Sequence, residues 1–286
     1  MIETGSSLGC YMACPRKYSY RYEKLVEYPK FSKSREFGTL VHAFKEGEQD
    51  NALADMVEKF PSNRDDISLW YDIAKHVSGL HRHFYQEQDE QCKWDREVEW
   101  SFKVGDHHLA GKTDAVMMDK NTGAYYVYEL KTSTMMAPED YERMLQNNMQ
   151  IRNNVIGISK LYNAPIAGVV YDVIFKPNIY KRKNEDDVEW ASRFIDMIGS
   201  EPGKYFHRIS FSLNDNELVK HSKHLEDYFT NVATGFRGKN TSNCHAYFSE
   251  CEYYDICVDD LDPTHGATKR KSKHSELSPE IQCNGF

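Results

Sequence analysis

The chain has 286 residues and a mass of 33.4 kDa; 40 % apolar and 13 % aromatic content is enough for a packed core and excludes wholesale disorder. Thirty-six Lys and Arg against 44 Asp and Glu give a formal net charge of −8, so a histone-like coat for nucleic acid is excluded and any nucleic-acid site is a local basic patch on an acidic body. A mean hydropathy of −0.72 without a run of about 18 apolar residues excludes a membrane-spanning helix. The start, Met1-Ile2-Glu3-Thr4-Gly5-Ser6, reads as no signal peptide and as a cytoplasmic protein.

Residues 7–28 have the spacing of a helix with one aromatic stripe, and between Cys14 and Arg35 seven bases meet two acids. Bases among aromatics suit a surface that tracks a nucleic-acid backbone; a helix with inward tyrosines and solvated bases is the alternative. Residues 38–47 are expected to be helical, with Leu40, Val41 and Phe44 on one side. Residues 51–60 and 65–88 extend this into an acidic helical insertion over about 45–90, away from any polyanion. The period then becomes two. Residues 93–104 and 108–118 are strands, Asn121-Thr122-Gly123 a turn, and 124–130 a third strand. Pro138, followed by Glu139 and Asp140, opens a helix to about Tyr162. Strand, helix, strand and helix are expected over 166–175, 190–198, 205–213 and 217–236. This alternation predicts an α/β fold, a central mixed β-sheet flanked by helices. Residues 259–286 are polar and predict a flexible tail, with the run Lys269-Arg270-Lys271-Ser272-Lys273 solvated or on phosphate.

Chemistry-bearing residues recur in order. Glu129 and Lys131 flank Leu130 on a strand, so both side chains share one face. A carboxylate there binds a hard divalent cation, and an ammonium beside it orients water or steadies charge on phosphoryl oxygens. Asp114 lies on the preceding strand, and a hairpin turning at 121–123 brings it to Glu129; two converging carboxylates repel unless a cation sits between them. His42, on the upstream helix, is either a core residue or a ligand, and neutral imidazole suits Mn²⁺ better than Mg²⁺. Gln146, Gln150 and Asn154, four apart, share a helix face and present amides to phosphate or water. Seven cysteines (Cys10, Cys14, Cys92, Cys244, Cys251, Cys257 and Cys283), an odd count without a signal peptide, argue against a disulfide scaffold. The cluster Cys244-x6-Cys251-x5-Cys257 reads as metal ligands or as buried thiols.

These pieces resemble, in order and spacing, the PD-(D/E)XK nuclease superfamily, and within it the RecB-type exonucleases: a helix with a histidine, strands carrying D and (D/E)xK, and a helix with a glutamine motif. The matching residues are His42, Asp114, Glu129, Lys131 and Gln150. The family's tyrosine four residues after the glutamine is Asn154 here, which leaves Gln146 as a rival. The resemblance implies that His42, Asp114, Glu129 and the main-chain carbonyl of Leu130 bind one or two Mg²⁺ or Mn²⁺ ions, with Lys131 and Gln150 assisting. It implies hydrolysis of DNA, single-stranded or with a free end, with little sequence preference, leaving 5′-phosphate and 3′-hydroxyl ends. Arg16, Lys17, Arg21 and Lys176 are candidate phosphate contacts.

One branch of the family, including AddB-type and CRISPR-associated exonucleases, holds a [4Fe–4S] cluster on one cysteine before the core and three after it. Cys14 in Cys14-Pro15-Arg16-Lys17-Tyr18 is similar to the first ligand, with Cys10 a competitor, and Cys244, Cys251 and Cys257 to the rest; Zn²⁺ is the alternative occupant. Such a cluster would join the N- and C-terminal segments of one nuclease domain over 1–258, with the cysteine segment at 244–257. No Gly-x4-Gly-Lys-[Ser/Thr] loop is present, so a helicase or recombination motor would be a separate partner. The alternative function is a non-catalytic nucleic-acid-binding or partner-binding module on a nuclease-like fold. Asp114 and Glu129-x-Lys131 argue against it, since converging acids serve no surface that merely holds a polyanion.

Overall fold

The computed structural model describes residues 1–134, 144, 145, 147–246 and 250–284. In chain order the elements are β1 (Ile2–Thr4), α1 (Gly5–Ala13), α2 (Pro15–Tyr18), β2 (Val26–Glu27), α3 (Lys33–Glu46), α4 (Gln49–Lys59), α5 (Arg64–Phe84), α6 (Gln86–Glu90), β3 (Cys92–Val104), β4 (His107–Asp119) and β5 (Tyr125–Thr134). Then come α7 (Met149–Tyr162), β6 (Ile166–Lys176), α8 (Asp187–Ser200), α9 (Pro202–Tyr205), β7 (Phe206–Phe211), α10 (Asp215–Ala233), α11 (Tyr254–Val258), β8 (Thr268–Lys269) and α12 (Pro279–Asn284). This is the expected mixed sheet flanked by helices. The helix start expected at Pro138, and Gln146, lie outside the described residues. No helix among the described residues is long and apolar enough to cross a membrane.

The sheet runs β1-β4-β5-β6-β7, with β3 on the other edge of β4. The β3–β4 and β4–β5 pairs are antiparallel hairpins; β5 and β6 are parallel and joined through α7, because parallel neighbours need a crossover. One edge of β4 is shared. β1 pairs with His108–Ala110 and β5 with Ala115–Met118, so residues 111–114 have, among the described residues, no strand partner on that side. There the two strands are linked by side chains: Thr113 Oγ1 donates to the Tyr128 carbonyl (3.1 Å) and the Asp114 carboxylate accepts the Leu130 N–H (2.6 Å). The fork in the sheet thus creates the place where Asp114 and Glu129 meet.

Helix α7 is set against this fork by size complementarity. Trp100 on β3, 1 % exposed, lies between Gly111 of β4 and Gly157 of α7, and a Cβ at either glycine would stand 2.4 or 2.2 Å from the indole. On the other side of the sheet α3 and α5 bury Phe37, Leu40, Val41, Ile73 and Val77 in the same core. That side also holds a buried polar network. Asp172 of β6 accepts from His81 of α5 (2.8 Å), Tyr128 of β5 (2.7 Å) and Arg208 of β7 (2.8 Å), while Lys45 of α3 meets the other nitrogen of His81 at 2.7 Å. Buried charges persist only when paired in this way.

Two expectations are corrected. The helix over 7–28 is broken at Cys14, whose backbone is extended (φ −161°, ψ 108°), because a residue before proline is pushed out of the helical region. Asn240 and Asn243 cap the break on the Ala13 carbonyl at 2.8 and 2.7 Å. The tail expected to be flexible is packed: β8 pairs with β2, Arg270 faces Glu27 (3.7 Å), Lys273 meets buried Glu3 (2.5 Å), and Leu277 and Ile281 bury against Ala110 and Ile2. Its bases find counter-charges in the N-terminal segment, and these ion pairs tie the two ends together.

Candidate active site

Glu129 is the centre of the site. Its side chain is buried, and three amine or amide groups hold it: Lys131 Nζ and Gln150 Nε2 on Oε1 at 2.6 and 2.7 Å, and Asn154 Nδ2 on Oε2 at 3.2 Å. The strand period puts Lys131 on the same face; the helix period puts Gln150 and Asn154 on the same stripe of α7, whose first turn is capped by Asn148. Asp114 Oδ2 is fastened to the Leu130 N–H, and Oδ1 stands 3.6 Å from His42 Nδ1. All five residues expected at the site from sequence (His42, Asp114, Glu129, Lys131 and Gln150) are therefore linked in one chain of contacts.

The electrostatics follow from burial. Desolvation, together with the Asp114 charge, pushes the Glu129 carboxyl up to about 7 against the pull of Lys131. Desolvation also holds the His42 imidazole below its ordinary value, with Asp114 opposing and Lys131 adding to it, which favours the neutral ring. Two acids so close inside a protein form a site for positive charge.

Sequence reasoning missed Glu46 and Glu97. Glu46, one turn beyond His42 on α3, stands 4.0 Å from its Nδ1, and burial beside Glu97 pushes its carboxyl up to about 7. Glu97 sits in the left-handed region (φ 52°), a strained conformation for this residue, in the break of the β3–β4 register opposite Asp114, and pairs with Lys112. The signal available for Glu46 was its spacing of four from His42; for Glu97 there was none. A cleft of about 580 Å³ opens on the site, walled by Arg35, Thr39, His42, Glu46, Lys131 and Thr132. Gly38 makes it possible, since a Cβ there would press on Thr132 Oγ1 at 3.0 Å and part α3 from β5.

Cys10, Cys14, Cys244, Cys251 and Cys257 line a second cavity, of about 660 Å³. The Cys251 N–H donates to the Cys244 carbonyl (2.8 Å), and burial pushes the Cys10 thiol up to about 11 and raises Cys251 and Cys257. Both rivals for the first ligand position, Cys10 and Cys14, face this space. Among the described residues no three His, Cys, Asp or Glu side chains are gathered closely enough to hold a metal ion as they stand, here or at the carboxylates. In donor chemistry both sets fit: five thiols around one cavity for a soft centre, and two acids with an imidazole and a carbonyl for a hard dication.

The candidate phosphate contacts are placed elsewhere. Arg16, Lys17 and Arg21 line the cysteine cavity, Arg16 against Asp260 (3.7 Å), Lys17 and Arg21 against Glu252 (3.3 and 3.0 Å). Lys176 is 8 % exposed, donates to Ser34 Oγ and lies 5.8 Å from the Phe37 ring centre; burial lowers its pKa.

A profile of the PD-(D/E)XK nuclease superfamily matches residues 4–258. Among solved structures the chain is similar to a Eubacterium rectale protein named "Putative exonuclease", with TM-score 0.52 and 11 % identity over 99 % of this chain and 93 % of that one. It also matches SSO0001, at TM-score 0.34 and 15 % identity over 87 % of this chain and 96 % of that one. A third match is VC1899 of Vibrio cholerae, at 0.24 and 14 % over 82 % and 57 %. At 11 % identity the likeness to the Eubacterium rectale protein is one of fold. No curated protein matches the sequence.

Proposed function

We propose that this chain, which belongs to the PD-(D/E)XK nuclease superfamily, is a metal-dependent deoxyribonuclease, an exonuclease that hydrolyses phosphodiester bonds with little sequence preference. The observation that carries the reading is the convergence at the β4–β5 fork: Asp114 is fastened to the Leu130 N–H beside Glu129 and its charge acts on Glu129, with Lys131, Gln150 and Asn154 on the Glu129 carboxylate and His42 beside Asp114. His42, Asp114, Glu129 and the Leu130 carbonyl would hold Mg²⁺ or Mn²⁺, which when bound supplies Lewis acidity toward the scissile phosphate and the attacking water. Gln150 and Asn154 orient Glu129, and the Asp114–Leu130 hydrogen bond fixes the main chain between the two catalytic side chains. Lys131, 33 % exposed at its side chain, orients the water and places positive charge beside the pentacovalent transition state. The substrate is a DNA strand, single-stranded or with a free end, contacted through its backbone.

Cleavage of end-labelled single-stranded DNA with Mg²⁺ or Mn²⁺ tests this. Asp114→Ala and Lys131→Ala are each expected to lower the rate at least about a hundredfold, in the range of lost electrostatic or acid–base catalysis, with unchanged circular dichroism. Wild-type rates in both purified variants would refute the site.

We also propose a stabilising [4Fe–4S] cluster on Cys14, Cys244, Cys251 and Cys257, on the ground that these thiols line one cavity. Anaerobically purified protein is expected to be brown, with about four iron and four sulfide per chain, and Cys251→Ser to lose both; one zinc per colourless chain would replace the cluster with a zinc clamp.

A further inference from the structure

The loop between β6 and α8 carries Tyr180-Lys181-Arg182-Lys183, a tyrosine followed by three bases in an acidic protein. Tyr180 is 85 % exposed. A lone exposed aromatic needs no explanation, but this one is held out by a braced backbone. Ile179 packs on the core, Arg193 Nη2 donates to the Tyr180 carbonyl (3.0 Å), and the Arg182 N–H donates to Glu185 (2.8 Å), itself clamped by the Arg193 fork at 2.6 Å. The acids that follow are engaged by the fold. Glu185 is on Arg193, Asp186 caps α8 through the Glu189 N–H, and Asp187 pairs with Lys181. Arg182 and Lys183, two and three residues after Tyr180, are exposed.

The loop also lies at the catalytic end of the sheet. β5 and β6 are parallel, with Lys131 opposite Val173 and Thr134 opposite Lys176, so the chain leaving β6 emerges beside the end of the strand that carries Glu129 and Lys131. Lys176 touches Ser34 at the start of α3, the helix that bears Arg35 and His42 in the wall of the cleft. Tyr180, four residues on, is within about 14 Å of Lys176 along the chain.

We infer that Tyr180, Arg182 and Lys183 form a contact for the single-stranded part of the substrate, the ring stacking on an unpaired base and the bases tracking flanking phosphates as the strand reaches the cleft. The inference rests on the nuclease reading and adds the surface that holds the strand outside the reacting centre. Base-on-aromatic stacking tolerates any sequence, as an unspecific exonuclease requires, and an unpaired base is what it needs.

The test is fluorescence anisotropy of a labelled 20-nucleotide single strand, without divalent metal, over a salt series, with cleavage rates measured in parallel. Tyr180→Ala is expected to weaken binding about tenfold. Arg182→Gln/Lys183→Gln is expected to reduce the slope of log affinity on log salt by about 1.4, at about 0.7 per phosphate contact. Both variants should melt as wild type, raise KM, and leave kcat at saturating DNA unchanged. Wild-type affinity and salt slope in both variants, with wild-type cleavage present, overturns the loop contact alone; equal loss on blunt duplex overturns the stacking; a wild-type protein that neither binds nor cleaves DNA overturns the nuclease reading and the contact with it.

Discussion

Replacing Gly157 by Ala is expected to destabilise this protein, although the same change in an ordinary helix stabilises. In a helix interior Ala is favoured over Gly by about 1 kcal/mol. Here the new methyl would stand 2.2 Å from Trp100 Cδ2 and 2.3 Å from Cε3, so helix and indole must part by about an ångström to reach ordinary contact. The indole has nowhere to go: its other side faces Gly111, where a Cβ would already be 2.4 Å away, and it is 1 % exposed. Overpacking of this kind costs about 1–3 kcal/mol, more where both walls are rigid. Set against the propensity gain, a net loss near the upper end, about 2 kcal/mol, lowers Tm by about 4–8 °C. Helix α7 also carries Gln150 and Asn154 to Glu129, so parting it from the sheet should reduce cleavage at temperatures where the variant is still folded. The assay is thermal melting paired with rate measurement, and the control is Trp100→Leu/Gly157→Ala. The smaller side chain makes room, so the double variant should lose less than the sum of the two single changes. A Gly157→Ala protein that melts at or above wild type would refute this account of the α7 contact.

Other consequences follow from the buried charges. The Asp172 carboxyl would be raised by burial alone, but His81, Arg208 and Tyr128 hold it down at about 2 from an ordinary 3.8. A depressed carboxyl stabilises the fold above its unfolded value, and that stability is lost as pH falls through the folded one. Asp172→Asn should therefore flatten the acid limb between about pH 4 and 2 and cost about 3–5 kcal/mol in denaturant melts at pH 7; an unchanged acid limb would count against the network. Glu129 has the opposite sign. Raised from 4.5 to about 7, it contributes stability while protonated, and this is lost as pH rises through about 7. In chelator-treated protein Tm should fall from pH 5 to pH 8, and fall less in Glu129→Gln. Added Mn²⁺ should raise Tm at pH 8 in wild type and not in the variant, by preferential binding to the folded state; a rise of the same size in both would place the ion elsewhere.

How far the site was legible depended on the reach of each signal. Glu129 with Lys131, and Gln150 with Asn154, are same-face pairs fixed by periods of two and 3.6, and such local geometry is written in spacing alone. The break at Cys14 is local too, since Pro15 imposes it, yet the aromatic stripe running across it suggests a continuous helix. Charges resisted reading. Arg270 and Lys273 look like a solvated run until Glu27 and Glu3 are brought to them from more than 240 residues away, and buried Glu3 needs Lys273 and Tyr18 in turn. Arg16, Lys17 and Arg21 look like phosphate contacts for the same reason, their partners Asp260 and Glu252 lying more than 230 residues away.

What the amino-acid order determined by itself is therefore the strands and helices of the central sheet, the identity of the acids, amine and amides, and the faces they occupy, because these depend on neighbours within a few residues. What only the tertiary structure decided is their meeting. β1 takes the edge of β4 up to Ala110 and β5 takes it from Ala115, leaving the gap in which Asp114 reaches Leu130 beside Glu129, while α3 and a strained Glu97 bring Glu46 and His42 to the rim. That arrangement comes from strand pairing between segments separated by up to about a hundred residues, and no periodicity along the chain encodes which edge a strand will find.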